Sequence, residues 1–237
     1  MKSVGWRIVA ALGLAACGGS QEKTAGEAGV PVVAVESTQA AAPTPTAVPR
    51  VLIIGTSLTA GLGLDPDSAY PAVLQRIADS LGIAVRVDGA GLSGETSAGA
   101  LRRADWLLRG PAAVVVIETG ANDGLRGLDV DSTRANLRAI IGKVRRANPT
   151  ARILLAQMEA PRNLGPAYTR AFHGAFGEVA AAEGVGLIPF FLEGVAGVPA
   201  LNQDDGIHPN EEGARRAARA MWASLGPVLE GIAPSAR

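Results

Sequence analysis

The chain has 237 residues, 48% of them apolar, enough for one sizeable core at the ~100–200 residues usual per domain. Lys plus Arg and Asp plus Glu number 22 each, so no net field draws in a phosphate backbone, and no nucleic-acid partner is expected. A single cysteine, Cys17, excludes an internal disulfide framework and a cysteine-rich metal site.

Lys2 and Arg7 lead into an apolar run over residues 8–15, the form of an export signal and far short of the ~20 residues that span a bilayer. The string Leu14-Ala15-Ala16-Cys17, followed by Gly18-Gly19-Ser20, resembles the lipobox of bacterial lipoproteins. That resemblance implies that residues 1–16 are removed, that Cys17 is lipidated, and that the protein is periplasmic and anchored to the membrane. Gly18, in place of the aspartate of an inner-membrane retention signal, points to the outer membrane. An ordinary signal peptide with a chance cysteine is the alternative. Residues 17–49 are rich in Ala, Thr, Pro, Glu and Gln with no sustained period, which reads as a tether ahead of a folded domain over 50–237.

Five short apolar runs follow, at 51–54, 84–87, 113–118, 153–157 and 186–189, each separated from the next by a stretch with helical spacing. The first and third are continuous rather than alternating, as strands of a parallel sheet covered on both faces should be. The expected fold is a three-layer α/β/α sandwich on a five-stranded parallel sheet. Helix starts are expected at Ser68, Ser97, Asp131-Ser132 and Pro166, with a last helix after Pro209. Ligands in such sheets bind beyond the carboxyl ends of the strands, where this chain carries Gly55-Thr56-Ser57, Gly91-Leu92-Ser93-Gly94-Glu95-Thr96 and Thr119-Gly120-Ala121-Asn122-Asp123.

Ser57 directly follows a buried strand and has small neighbours, so its hydroxyl is a candidate nucleophile, although a lone serine in such a turn is more often a helix cap. Its base must be one of two histidines. His173 falls in a helical run whose apolar face is marked by Phe172 and Phe176, so it is expected to face solvent. His208 lies in the polar turn Asp204-Asp205-Gly206-Ile207-His208-Pro209. A carboxylate three residues before a histidine can fold back to accept Nδ1–H and leave Nε2 free for the serine proton. The acidic cluster Asp204, Asp205, Glu211 and Glu212 brings only one histidine, too few for a catalytic zinc, so no metal and no cofactor is expected.

Gly55-Thr56-Ser57-Leu58, Gly94, Gly120-Ala121-Asn122-Asp123 and Asp205-Gly206-Ile207-His208-Pro209 resemble, in order and at comparable spacing, the four blocks of the GDSL or SGNH hydrolases, with longer strings similar to the bacterial arylesterase and thioesterase/lysophospholipase branch. The resemblance covers the chain from about Arg50 to the final helix. It implies a flavodoxin-like sandwich and a serine esterase acting on aryl, acyl, thioester or lysophospholipid bonds, with Ser57 as nucleophile, His208 as base and Asp205 as its orienting partner. It also implies an oxyanion hole made of the Ser57 and Gly94 backbone N–H groups and the Asn122 side-chain amide, and a glycine at 94 would let the backbone come close. Thr56 stands where the family motif has aspartate, and Gly89 where the branch often has asparagine, which puts the rigidity of a loop there in doubt. The expected partner is a small ester or lipid substrate, and the expected state is a monomer. A carbohydrate O-deacetylase or acyltransferase using the same residues, and a non-catalytic ligand-binding lipoprotein, stand beside this reading on sequence alone.

Overall fold

A computed structural model of the protein describes residues 48–232. The expected export signal at 1–16, Cys17 and the tether up to residue 47 lie outside the described residues. Strands β1 (Arg50–Gly55), β2 (Arg86–Gly91), β3 (Val114–Ile117), β4 (Arg152–Ala156) and β5 (Gly186–Ile188) form one parallel sheet in the order β2-β1-β3-β4-β5. The helices are α1 (Ser57–Ala60), α2 (Tyr70–Ser80), α3 (Ser97–Leu107), α4 (Ala121–Leu125), α5 (Val130–Ala147), α6 (Pro166–Glu183) and α7 (Glu211–Glu230). None of these is long and apolar enough to cross a membrane.

The sandwich expected from the sequence is the fold observed. From β1 the chain moves one way to β2 and then reverses across β1 toward β3, β4 and β5. Right-handed crossovers therefore put α2 on one face and α3, α5 and α6 on the other, and α2 packs on α7 while α5 packs on both α3 and α6. Covered on both faces, Val51–Ile54 of β1 and all of β3 have no exposed surface, which is why they read as unbroken apolar runs. The reversal leaves a crevice at the carboxyl ends of β1 and β3, and this is where the polar segments gather.

Several expected boundaries move. The second strand is not at 84–87 but at Arg86–Gly91, because its register is set by pairing with β1, from Arg50 with Arg86 to Gly55 with Gly91. As an edge strand it is only partly buried, so Asp88, Gly89 and Ala90 carry no apolar pattern. Gly89 therefore lies in a strand rather than a loop, and a Cβ there would meet Pro71 at 3.1 Å and Thr59 at 3.3 Å. Helix α3 begins at Ser97 as expected, while α2 and α5 begin one to two residues from the expected starts. Ala69 precedes α2 without a side-chain cap, Thr96 caps α3, and Asp129 caps α5 by accepting from Ser132 N at 2.8 Å. Pro166 opens α6 as expected.

Gly91 ends β2 beneath α1, where a Cβ would come within 2.1 Å of Ala60 N and 2.6 Å of Thr56 O. Those are backbone atoms that cannot swing aside, so Gly91→Ala is expected to destabilise the protein by about 1–3 kcal/mol. Urea unfolding should show a lower midpoint at unchanged slope; an unchanged midpoint would show that α1 lifts away at no cost.

Candidate active site

Ser57 opens α1 immediately after β1 and is 8% exposed. Its hydroxyl lies 2.9 Å from His208 Nε2, and His208 Nδ1 lies 2.6 Å from Asp205 Oδ2. The second carboxylate oxygen of Asp205 accepts from the backbone N–H groups of Ile207 and His208, each at 2.9 Å, so the turn folds the carboxylate back onto the imidazole. The imidazole hydrogen bond first, and those backbone bonds second, hold the Asp205 carboxyl down at about 2. Asp205 is thus an ionised acceptor. Nδ1 of His208 then carries the proton, and the Nε2 lone pair faces Ser57.

The histidine turn is tied to the serine turn from below. Gln203 Nε2 donates to Leu62 O at 2.7 Å and to Pro209 O at 2.9 Å, and Gln203 N donates to His208 O at 2.8 Å. Asn210 caps α7 through Gly213 N, and Glu212 pairs with Arg215 and Arg216, so this part of the acidic cluster belongs to the helix start. His173 is elsewhere: 60% exposed on α6, with Nδ1 2.6 Å from Glu159.

Gly94 and Asn122 line the same cleft as Ser57 and His208. Gly94 has φ +75°, a left-handed conformation that a side chain rarely adopts, while a Cβ there would meet only Arg126 Nη2, at 3.7 Å. Glycine is required there for its conformation. Asn122 Nδ2 donates one hydrogen to Glu95 O at 3.0 Å, which orients the amide and leaves its second hydrogen free to donate. The neighbouring carboxylate of Asp123 is buried and accepts from Ser97 N, Ser97 Oγ and Thr133 Oγ1, pinning α4 to α3 and α5.

Two groups the sequence reading passed over hold the serine turn. Arg103 Nε forks onto both Glu95 oxygens, at 2.9 and 2.8 Å, while its Nη2 donates to Gly55 O and Ala90 O at 2.9 and 2.8 Å, joining the ends of β1 and β2 to the Gly94 loop. Glu118, next after β3, has no exposed surface. It accepts from Thr56 N at 3.0 Å, Thr56 Oγ1 at 2.9 Å and Thr59 Oγ1 at 2.6 Å. Burial pushes its carboxyl up from 4.5 to about 7, against the pull of the bonds from Thr59 and Thr56. The available signal was a carboxylate closing a wholly apolar strand, which has no reason to be there for packing alone.

The cleft above these groups holds about 820 Å³ and is walled largely by apolar side chains, among them Leu58, Leu62, Leu125, Met158, Phe190 and Ile207. Segments from both 158–166 and 190–201 contribute to it. Ser57 against an oriented His208, with Gly94 and Asn122 lining the same largely apolar cleft, is an arrangement suited to acyl transfer. A family model described as the GDSL-like lipase/acylhydrolase family matches residues 53–216. The chain belongs to this family. It is 44% identical over 185 residues to the esterase TesA of Pseudomonas aeruginosa, covering 77% of this chain and 90% of that protein. It is 38% identical over 184 residues to thioesterase 1/protease 1/lysophospholipase L1 of Escherichia coli, covering 77% and 86%. A crystal structure of TesA superposes with a TM-score of 0.72 at 42% identity, covering 76% of this chain and 99% of that one.

Glu118 makes stability depend on pH with a definite sign. Its folded pKa of about 7 exceeds the ordinary 4.5, so the stabilisation is complete below 4.5 and is lost as pH rises through 7. The loss is on the order of 3 kcal/mol, and Glu118→Gln should remove that part of the slope. Denaturant titrations of parent and variant across this range measure it, and identical slopes would place the titrating group elsewhere.

Proposed function

We propose that this carboxylic ester hydrolase works through an acyl-enzyme on Ser57. Ser57 Oγ attacks the ester carbonyl while His208 Nε2, 2.9 Å away, takes its proton, and Asp205 stabilises the imidazolium that forms. His208 returns the proton to the leaving alcohol or thiol as the acyl–oxygen or acyl–sulfur bond breaks. Water, deprotonated by His208, then attacks the acyl-enzyme and frees the acid and Ser57. The carbonyl oxygen gains a full negative charge at each tetrahedral step. The Ser57 and Gly94 N–H groups and the free hydrogen of the Asn122 amide are its donors in this reading. The observation that carries it is the unbroken chain from Asp205 through His208 to Ser57, with the tautomer fixed by an ionised Asp205.

The apolar walls suit an acyl or aryl group, and the relatives, an esterase and a thioesterase/protease/lysophospholipase, support an ester or thioester substrate, for which we propose a short to medium acyl chain. The lipobox-like string supports export and attachment of Cys17 to the outer membrane, with residues 17–49 as the tether of a monomeric domain at 50–237.

Hydrolysis of a nitrophenyl ester series tests the assignment. Ser57→Ala and His208→Ala should each lower kcat by roughly 10⁴-fold or more in folded protein. Asn122→Ala should lower it by about 10²–10³-fold with a smaller change in KM. Turnover surviving in Ser57→Ala would refute the acyl-enzyme.

A further inference from the structure

We propose that Glu118, in its ionised form, is a positioning residue for the nucleophile: its carboxylate holds the turn on both sides of Ser57 and so sets the serine's backbone N–H and hydroxyl for reaction. The proposal rests on the reading of Ser57 given above. The three donors to Glu118 come from the residue just before Ser57, through Thr56 N and Oγ1, and from the residue two places after it, through Thr59 Oγ1. A helix of four residues makes too few internal hydrogen bonds to fix its own orientation. An outside anchor is needed, and Glu118 is itself fixed by its backbone, whose N–H donates to Ile54 O at 2.8 Å as β3 leaves the sheet.

With Glu118 ionised, the count of hydrogens around it closes. Thr59 has one hydroxyl hydrogen, which goes to Glu118, so the 2.6 Å contact between Thr59 and Tyr70 is donated by the tyrosine. Tyr70, Thr59 and the carboxylate then form a one-way chain of donors, with Thr56 supplying two more, and every hydrogen has an acceptor. A proton on Glu118 would require Thr59 or Thr56 to turn its hydroxyl hydrogen elsewhere and accept instead, which rearranges the donors that hold the serine turn. Thr56 matters for the same reason: its hydroxyl gives a hydrogen where the family's aspartate would bring a second carboxylate to within hydrogen-bond distance of the first.

A stabilising ion pair is not the purpose of the group. Among the described residues no Lys or Arg is bridged to Glu118, and the groups facing it are Thr56 and Thr59 of the serine turn, Tyr70 of α2 and the end of β1, where a Cβ on Gly55 would lie 2.6 Å from its Oε2. A buried acid without a countercharge weakens the fold when it ionises, so its place beneath the nucleophile answers to function.

Glu118→Gln keeps the shape but turns an amide donor toward hydroxyl or N–H donors. In protein that unfolds cooperatively, kcat should fall by about tenfold or more with KM within about twofold, a loss made in the transition state alone. The rate at which a nitrophenyl phosphonate attaches to Ser57 should fall by the same factor. Thr59→Val should show a smaller loss in the same direction, since the two bonds from Thr56 survive. If Glu118→Gln keeps kcat and the attachment rate within about twofold of the parent, however its stability changes, the carboxylate is structural and the proposal is wrong. Should that variant fail to fold, Thr59→Val decides alone: a kcat lowered by about threefold supports the proposal and an unchanged kcat overturns it. A Ser57→Ala control that still turned over esters would instead sink the nucleophile assignment, whereas an inactive Ser57→Ala beside an unaffected Glu118→Gln removes only the role of Glu118.

Discussion

The turn that carries Ser57 lies so close to the sheet that β2 must end in glycine beneath it, and its hydrogen-bonding groups are spent on a carboxylate that has no exposed surface and, among the described residues, no Lys or Arg bridged to it. Most of what makes the site follows from this crowding. With Thr56 N and the Thr56 and Thr59 hydroxyls committed to Glu118, the first turn of α1 is held in place, and Ser57, as its first residue, has a backbone N–H with no partner inside the helix. The parallel topology then does the rest. Every strand ends at the same edge, so the Gly94 loop after β2, Asn122 after β3 and the His208 turn before α7 are delivered to one crevice.

The polar groups underneath are arranged for geometry more than for stability. Arg103 with Glu95, Asp123 with Ser97 and Thr133, and Glu118 with the two threonines each join segments from different strands. Buried charges of this kind roughly break even in folding free energy, and an ionised Glu118 costs stability, so the core of β1, β3, α5 and α6 carries the fold while the polar layer fixes the register of the site. The division is visible along β3, where four buried aliphatic residues end in a buried acid.

How much of this could be read from the sequence depended on burial. The two central strands were plain because burial on both faces leaves nothing but apolar side chains, whereas β2, at the sheet edge, carries Asp88-Gly89-Ala90-Gly91 and looked like a loop. Ser57, Asp205 and His208 were legible because local chemistry singled them out: a serine after a buried strand, and a carboxylate three residues before one of only two histidines. Gly94 and Asn122 came from the family motif, since nothing in their own surroundings marks a donor. Glu118 and Arg103 were missed because their partners, Thr56 and Thr59 for one and Gly55 and Ala90 for the other, are brought to them only by the pairing of β1 with its two neighbours. Helix starts shifted because the capping side chain is chosen by tertiary geometry among several adjacent candidates, as with Asp129 in place of Asp131.

The central claim is that Ser57, activated by His208, takes up the acyl group. Peptide mass mapping after reaction with an excess of a nitrophenyl phosphonate tests it most directly. The account predicts one phosphonyl group per chain, attached to the peptide containing Ser57, with nitrophenol released in step with lost esterase activity and no attachment in a folded His208→Ala variant. Inactivation with the label on another residue, or esterase activity that survives full labelling of Ser57, would contradict it.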